Sequence, residues 1–337
     1  MWLTINRQGI SHTRCGTDQG RLMGKSVAAE SKTALIAAIL GNVAIAVTKF
    51  IAAAFTGSSA MISEGIHSVV DTGNGGLILH GIHKSKQPPD FEHPFGHGKE
   101  LYFWSLIVAL AIFAVGCGTS VYEGLRHLLY PKQIEHPFWN YAVLTFALIF
   151  EGSSWVFGWK AFQKAKGKWG VLEGIRRSKD PSTFMVLFED SAAMLGLMIA
   201  FCGVFIGHQF GNVYADGAAS ILIGLVLGLV SFFLAYKSKG LLIGEGVEPD
   251  VLRNIQKLVE SDPDVEHSSC LLTMHFGPHE VMLTLQVKFR DELSAVDIRE
   301  AINRIQLRVQ KEHLDITRIF FASESVGRNQ PQVVAAD

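Results

Sequence analysis

The sequence predicts an α-helical membrane protein with six transmembrane helices, followed by a small cytoplasmic α+β C-terminal domain of the ferredoxin-like kind. Three observations predict it. Hydrophobic residues make up 48% of the 337 positions and charged residues only 18%, against about a quarter charged in an ordinary soluble protein. Six apolar stretches, at roughly 33–55, 60–83, 101–124, 139–162, 183–207 and 214–236, each reach the ~20 residues that a hydrocarbon core requires. After Lys237 the chain turns charged and mixed, and it stays so to about residue 325. The expected organisation is a flexible N-terminal arm (1–30), a six-span domain (31–240), an αββαβ domain (241–325) and a disordered tail (326–337).

Composition also excludes. A net charge of −1 gives no basic field for nucleic acid. Cys15, Cys117, Cys202 and Cys270 are scattered without a CxxC, so neither a disulfide framework nor a thiolate metal site is expected.

Orientation follows from Lys and Arg in the loops. The N-terminal arm, the loop after span two (Lys84, Lys86, Lys99) and the loop after span four (Lys164 to Lys179) are rich in them. The TGSS turn after span one and the loop after span five have none. Both termini are therefore expected in the cytoplasm. In the C-terminal part, residues 249–261 have helical apolar spacing and HSSCLLTMHF reads as a strand. Val281, Leu283, Leu285, Val287 and Phe289 alternate as in a half-buried strand. Ser294 caps a helix over 295–312, and ITRIFFAS closes as a strand.

Span two carries the stretch that needs most explanation, MISEGIHSVVDTGN at 61–74. Glu64, His67, Asp71 and Asn74 fall within roughly 80° of one another on a helix. A charge at mid-bilayer costs about 2.5–3.5 kcal/mol on insertion scales, so such a stripe faces something other than lipid. His67 and Asp71, four apart on one face, are a workable ligand pair for a small divalent cation. Span five holds a second acidic pair, Glu189 and Asp190, about 100° apart. One of these two can bind metal while the other relays a proton or pairs with a cation. Lys49 in span one and Glu151 in span four are further intramembrane charges; Lys49 either snorkels to the outer headgroups or pairs with a carboxylate. Asp216, at the start of span six, reads as an interfacial residue or a helix cap. In the loop after span two, DFEHPFGHGKE places Asp90, His93 and His97 close together. That turn suits a zinc-like ion, and it reads equally well as a hydrophilic surface turn.

These residues together resemble the cation diffusion facilitator family of zinc-transporter-like proteins. The likeness runs over residues 31–325 and rests on GSSAMISEGIHSVVDT, HPFGHGKE, the acidic pair of span five and the αββαβ tail. It implies a homodimeric transporter whose metal site takes two residues from span two, here His67 and Asp71, and two from span five. The family pattern on span five places Asp190 as one ligand and puts its other ligand at Val186, which cannot ligate. Glu189, a water or Asn74 then fills the fourth position. Asp90, His93 and His97 match loop positions that bind a second ion in bacterial relatives. The tail holds His267, His275 and His279, but IFFASES lacks the histidine expected for a metal cluster, which leaves dimerisation as the tail's main task.

The expected function is proton-coupled efflux of a divalent cation by alternating access, with zinc first and manganese, iron or cobalt after it. No resident cofactor is expected: the metal ion and protons are the substrates. The expected location is a bacterial inner or plasma membrane. A membrane-embedded metal-binding sensor or scaffold is the alternative. A metalloenzyme fits less well, since no HExxH-like arrangement pairs a general base with the ligands.

Overall fold

In a computed structural model that describes residues 42–131 and 137–323, α1 (Asn42–Thr56) and α2 (Ser59–Ser85) form an antiparallel pair across a tight turn at Gly57. Gly57 has φ +65°, a left-handed conformation in which a side chain would be strained. Next come α3 (Glu100–Leu129), α4 (Pro137–Lys166), the short α5 (Val171–Arg177), α6 (Pro181–Phe210) and α7 (Ala215–Ile243). Each apolar stretch of the sequence overlaps a helix among the described residues, the first of them only from Asn42 onward. Among the described residues, four helices (α3, α4, α6 and α7) are long and apolar enough to cross a membrane. α2 has the length, 27 residues, but its polar stripe dilutes its apolar character. α1 is shorter, and residues 33–41 of the expected first span lie outside the described residues. The N-terminal arm before them and the tail after Ser323 lie outside as well.

Local chemistry fixes the helix ends. The Ser58 side chain accepts the Met61 N–H at the start of α2. The Asp180 carboxylate accepts from Ser182 just ahead of α6, whose first residue is Pro181, a position where proline loses no hydrogen bond. Within α3, Ile112–Cys117 widens into a π-helical turn. Small residues let α3 and α7 approach closely. A Cβ on Gly224 would lie 2.7 Å from Val121 Cγ2, and one on Gly124 would lie 2.7 Å from the Gly217 carbonyl. Tyr102, Ile112, Leu144, Phe184, Leu197, Ile223, Leu227 and Leu234 fill the bundle interior.

The C-terminal part runs α8 (Pro249–Glu260), β1 (Val265–Gly277), β2 (Glu280–Phe289), α9 (Ala295–Glu312) and β3 (Ile316–Ser323). This is the αββαβ order expected. The three strands form one sheet in the order β1-β2-β3, with β1 antiparallel and β3 parallel to β2. Val281, Leu283, Leu285 and Val287 point inward against Ile255 and Val259 of α8 and Ile305 and Val309 of α9. α9 opens with a capping box between Ser294 and Asp297.

The lysine- and arginine-rich loops gather at the end of the bundle that carries this sheet. Arg177 pairs with Asp250 at 3.2 Å, and Lys179 pairs with Glu245 at 2.7 Å. The α1–α2 turn and the start of α7 meet at the opposite end.

One buried charge holds α9 to the turn before β1. The Asp262 carboxylate is fully buried and takes the guanidinium of Arg304 at 3.0 Å together with that of Arg308. Burial would raise its pKa, but hydrogen bonds from Arg304 and from the Asp264 N–H, with the charges of both arginines, hold it below the ordinary aspartate value. A depressed carboxylate stabilises the fold above its unfolded pKa, about 3.9, and loses that contribution as pH falls through the folded value. Asp262→Asn is expected to cost about 1–2 kcal/mol near neutral pH. Thermal unfolding of the two proteins should show the difference at pH 7 and its loss on strong acidification.

Candidate metal centre

α2 is fastened at its first turn and again at Glu64, the first residue of its polar stripe. At the turn with α1, the Asp216 carboxylate of α7 accepts from Ser58 Oγ (2.5 Å), Ser59 N–H (2.5 Å), Ser59 Oγ (2.8 Å) and Ala60 N–H (3.3 Å). Asp216 thus caps the neighbouring helix, and its charge sits at the positive end of the α2 dipole. Further along, Lys49 of α1 binds Glu64 of α2 at 3.0 Å and Glu151 of α4 at 2.9 Å. It also donates to Ser68 Oγ at 3.0 Å. Lys49 is wholly buried, so it pairs with carboxylates and does not snorkel.

One turn beyond Glu64 lies His67, 2% exposed. Its Nδ1 is 3.4 Å from Asp71 Oδ1, but neither ring nitrogen, nor that oxygen, has a hydrogen bond. Buried polar atoms without partners are rare in folded proteins. A neutral imidazole beside a carboxylate with a free lone pair is a ready set of donors for a divalent cation.

α6 faces the stripe with Glu189. Asn74 Nδ2 donates to Glu189 Oε1 at 2.9 Å. Asp190, 100° further round the helix, turns to α4 instead and accepts from Ser154 Oγ at 3.3 Å. A Cβ on Gly158 of α4 would lie 3.5 Å from Asp190 Oδ2 and 3.9 Å from Val186 Cγ1. Val186 and Asp190 therefore share the face of α6 that meets α4. Of the expected set, the structure brings His67, Asp71 and Glu189 to the α2–α6 boundary, with Asp190 beside it on α4. Sequence spacing left open which acid of the pair faces α2. It also gave no sign of Ser68 or Ser154, whose partners lie on other helices.

The loop between α2 and α3 holds the tighter cluster. Among the described residues, only Asp90, His93 and His97 bring three ligand atoms within 4.8 Å of one another. Asp90 Oδ1 is 3.3 Å from His93 Nδ1, and Oδ2 is 3.4 Å from His97 Nε2. The His93 N–H donates to Asp90 Oδ1 at 2.6 Å, which fixes the turn. That N–H, against the opposing effect of desolvation and with help from both imidazoles, holds the Asp90 carboxyl below its ordinary pKa. An ionised carboxylate with two imidazoles suits a borderline divalent ion.

This loop rests on the C-terminal sheet. A Cβ on Gly98 would stand 2.3 Å from the Phe276 carbonyl oxygen. The Phe95 and Phe276 rings stack at 5.1 Å, and Arg318 of β3 donates to the Phe95 carbonyl at 2.8 Å. The tail histidines stay apart. His275 bonds the Glu245 carbonyl, His279 pairs with Asp315, and His267 lies near Glu260. Asp90→Ala is expected to weaken equilibrium binding of a divalent cation to the full chain, measured by calorimetry, and to lower thermal stability by about 0.5–1.5 kcal/mol through loss of the acceptor for the His93 N–H.

A family model described as the cation efflux transmembrane domain matches residues 35–243. The mitochondrial proton-coupled zinc antiporter SLC30A9 of Homo sapiens is 34% identical over 276 residues, 79% of this chain and 48% of its own length. Metal tolerance protein C4 of Arabidopsis thaliana is 28% identical over 240 residues, 71% of this chain and 52% of its own. The manganese efflux system protein MneP of Bacillus subtilis is 25% identical over 289 residues, 86% of this chain and 93% of its own. The chain spans about half the length of the first two. With its polar α2, the acidic pair of α6 and a family model that covers most of its length, the chain belongs to the cation efflux, or cation diffusion facilitator, family.

Proposed function

We propose that this chain is a secondary active transporter that moves zinc, or else manganese, iron or cobalt, out of the cytoplasm in exchange for protons. The observation that carries the reading is His67: a buried imidazole with both nitrogens free of hydrogen bonds, beside Asp71 and across from Glu189. The family supports it, as do relatives named for proton-coupled zinc antiport and for manganese efflux. In this reading His67, Asp71 and Glu189 hold the ion. Asp190 and Asn74 complete its surroundings, and a second ion sits at Asp90, His93 and His97. Six helices span the membrane with both termini in the cytoplasm, and the ferredoxin-like C-terminal part pairs two chains.

The chemistry follows from the ligand types. Imidazole and carboxylate with no thiolate favour zinc among the common divalent ions. Histidine is the side chain whose ordinary range spans physiological pH. On the outer side, protons added to the imidazole and a carboxylate compete with the metal and release it. On the inner side their loss restores the donors. A metal-binding scaffold without transport is the second reading, favoured by one feature. The loop triad is closely gathered, whereas the residues of the membrane set do not come within 4.8 Å of one another as a group.

Reconstituted protein should show proton flux driven by a Zn²⁺ gradient, and Asp71→Ala should abolish it. Normal flux in that variant removes the site assignment, and metal binding without flux in the wild type favours the scaffold. Glu189→Ala should weaken Zn²⁺ binding more than Asp190→Ala, because Glu189 is the acid that faces α2. The reverse order would hand the role to Asp190.

A further inference from the structure

Lys49, Glu64 and Glu151 belong to α1, α2 and α4, and they meet inside the bundle at a place that the metal ligands do not use. The Lys49 ammonium has three protons and three acceptors: Glu64 Oε2, Glu151 Oε1 and Ser68 Oγ. Its donors are spent. The carboxylates are not satisfied in the same way. Glu64 Oε1 and Glu151 Oε2 are buried, and neither has a hydrogen-bond partner. The Lys49 and Glu64 side chains are fully buried and that of Glu151 is 13% exposed. One positive and two negative charges leave an excess negative charge in the interior.

The surroundings do not offset it. Glu64 Oε1 aims at Gly196 of α6, where a Cβ would stand 2.4 Å away, with Ile223 of α7 behind. The ionisable groups outside the cluster on which its charges act are His67 and Asp71 on α2 and Asp190 on α6. Two of those three are acids. A metal ion would have to displace the ammonium. A proton fits without moving anything.

We propose that Lys49, Glu64 and Glu151 form a proton-binding site separate from the metal ligands. One proton adds to a free oxygen of either carboxylate, giving a neutral acid, while the ammonium keeps its ion pair with the other. The proposal rests on the antiport reading and adds to it a place for the counter-ion. The cluster lies within electrostatic reach of the metal ligands: Lys49 acts on His67 and Asp71, and Glu151 acts on Asp71 and Asp190. A proton here removes a negative charge that favours a bound dication, so proton and metal oppose each other, and by linkage the opposition is mutual.

The test counts protons. Zn²⁺ is titrated into the full chain in detergent, in two buffers of different ionisation enthalpy, for wild type, Glu64→Gln and Glu151→Gln. Each variant should release up to one proton fewer per Zn²⁺ than the wild type and, because the amide stands in for the protonated acid, should bind Zn²⁺ more weakly, by about 5–150-fold as for ordinary site-to-site coupling. An unchanged proton count in a monodisperse variant overturns the proposal. Should neither variant fold, the wild type decides alone. Zn²⁺ binding should remove an acid carbonyl band from its infrared difference spectrum, and the absence of that loss overturns the proposal. In proteoliposomes, a wild type that carries Zn²⁺ without moving protons overturns the antiport reading and this proposal together. A wild type that couples, with both variants coupling equally well, overturns this proposal alone.

Discussion

The structure depends on the requirement that charges inside an apolar bundle find partners on neighbouring helices. Lys49 is the main instance. It ties α1 to α2 and α4 through Glu64 and Glu151. A single ionised side chain at this depth is unfavourable by about 2.5–3.5 kcal/mol on insertion scales. Breaking a buried pair by removing one partner is worse than never having built it. The pairing therefore fixes how α2 is rotated. That rotation turns His67 and Asp71 inward, toward the face of α6 that carries Glu189.

A second constraint acts at the boundary between the bundle and the sheet. Gly98 lets the loop backbone lie against Phe276, and Phe95 and Arg318 complete the contact. The loop that carries Asp90, His93 and His97 is thus shaped from both sides, by α2 and α3 within the bundle and by β1 and β3 outside it. A change in the separation of those ligands is a change in how the two parts of the chain meet.

Much of this was legible in the sequence where one element contains the whole signal. The four-residue spacing of His67 and Asp71, the alternation from Val281 to Val287 and the Ser294 cap are local patterns, and each appears as expected. Lys49 was legible as a choice between snorkelling and pairing, because burial decides between them and burial is tertiary. The aim of the acidic pair on α6 was not legible. Glu189 and Asp190 differ by one residue, and the choice between them depends on Gly158 giving Asp190 room beside α4. Asp216 read as an interfacial residue or a helix cap. Its actual partners lie 156 to 158 positions away, beyond the reach of any local rule.

That Asp216 contact has a mechanical side. Four hydrogen bonds join the first turn of α7 to the first turn of α2, so at this end the two helices behave as one lever. Among the described residues, the polar tie across the α2–α6 boundary is the bond from Asn74 to Glu189. Parting α2 from α6 therefore breaks fewer of these polar ties than parting α2 from α7.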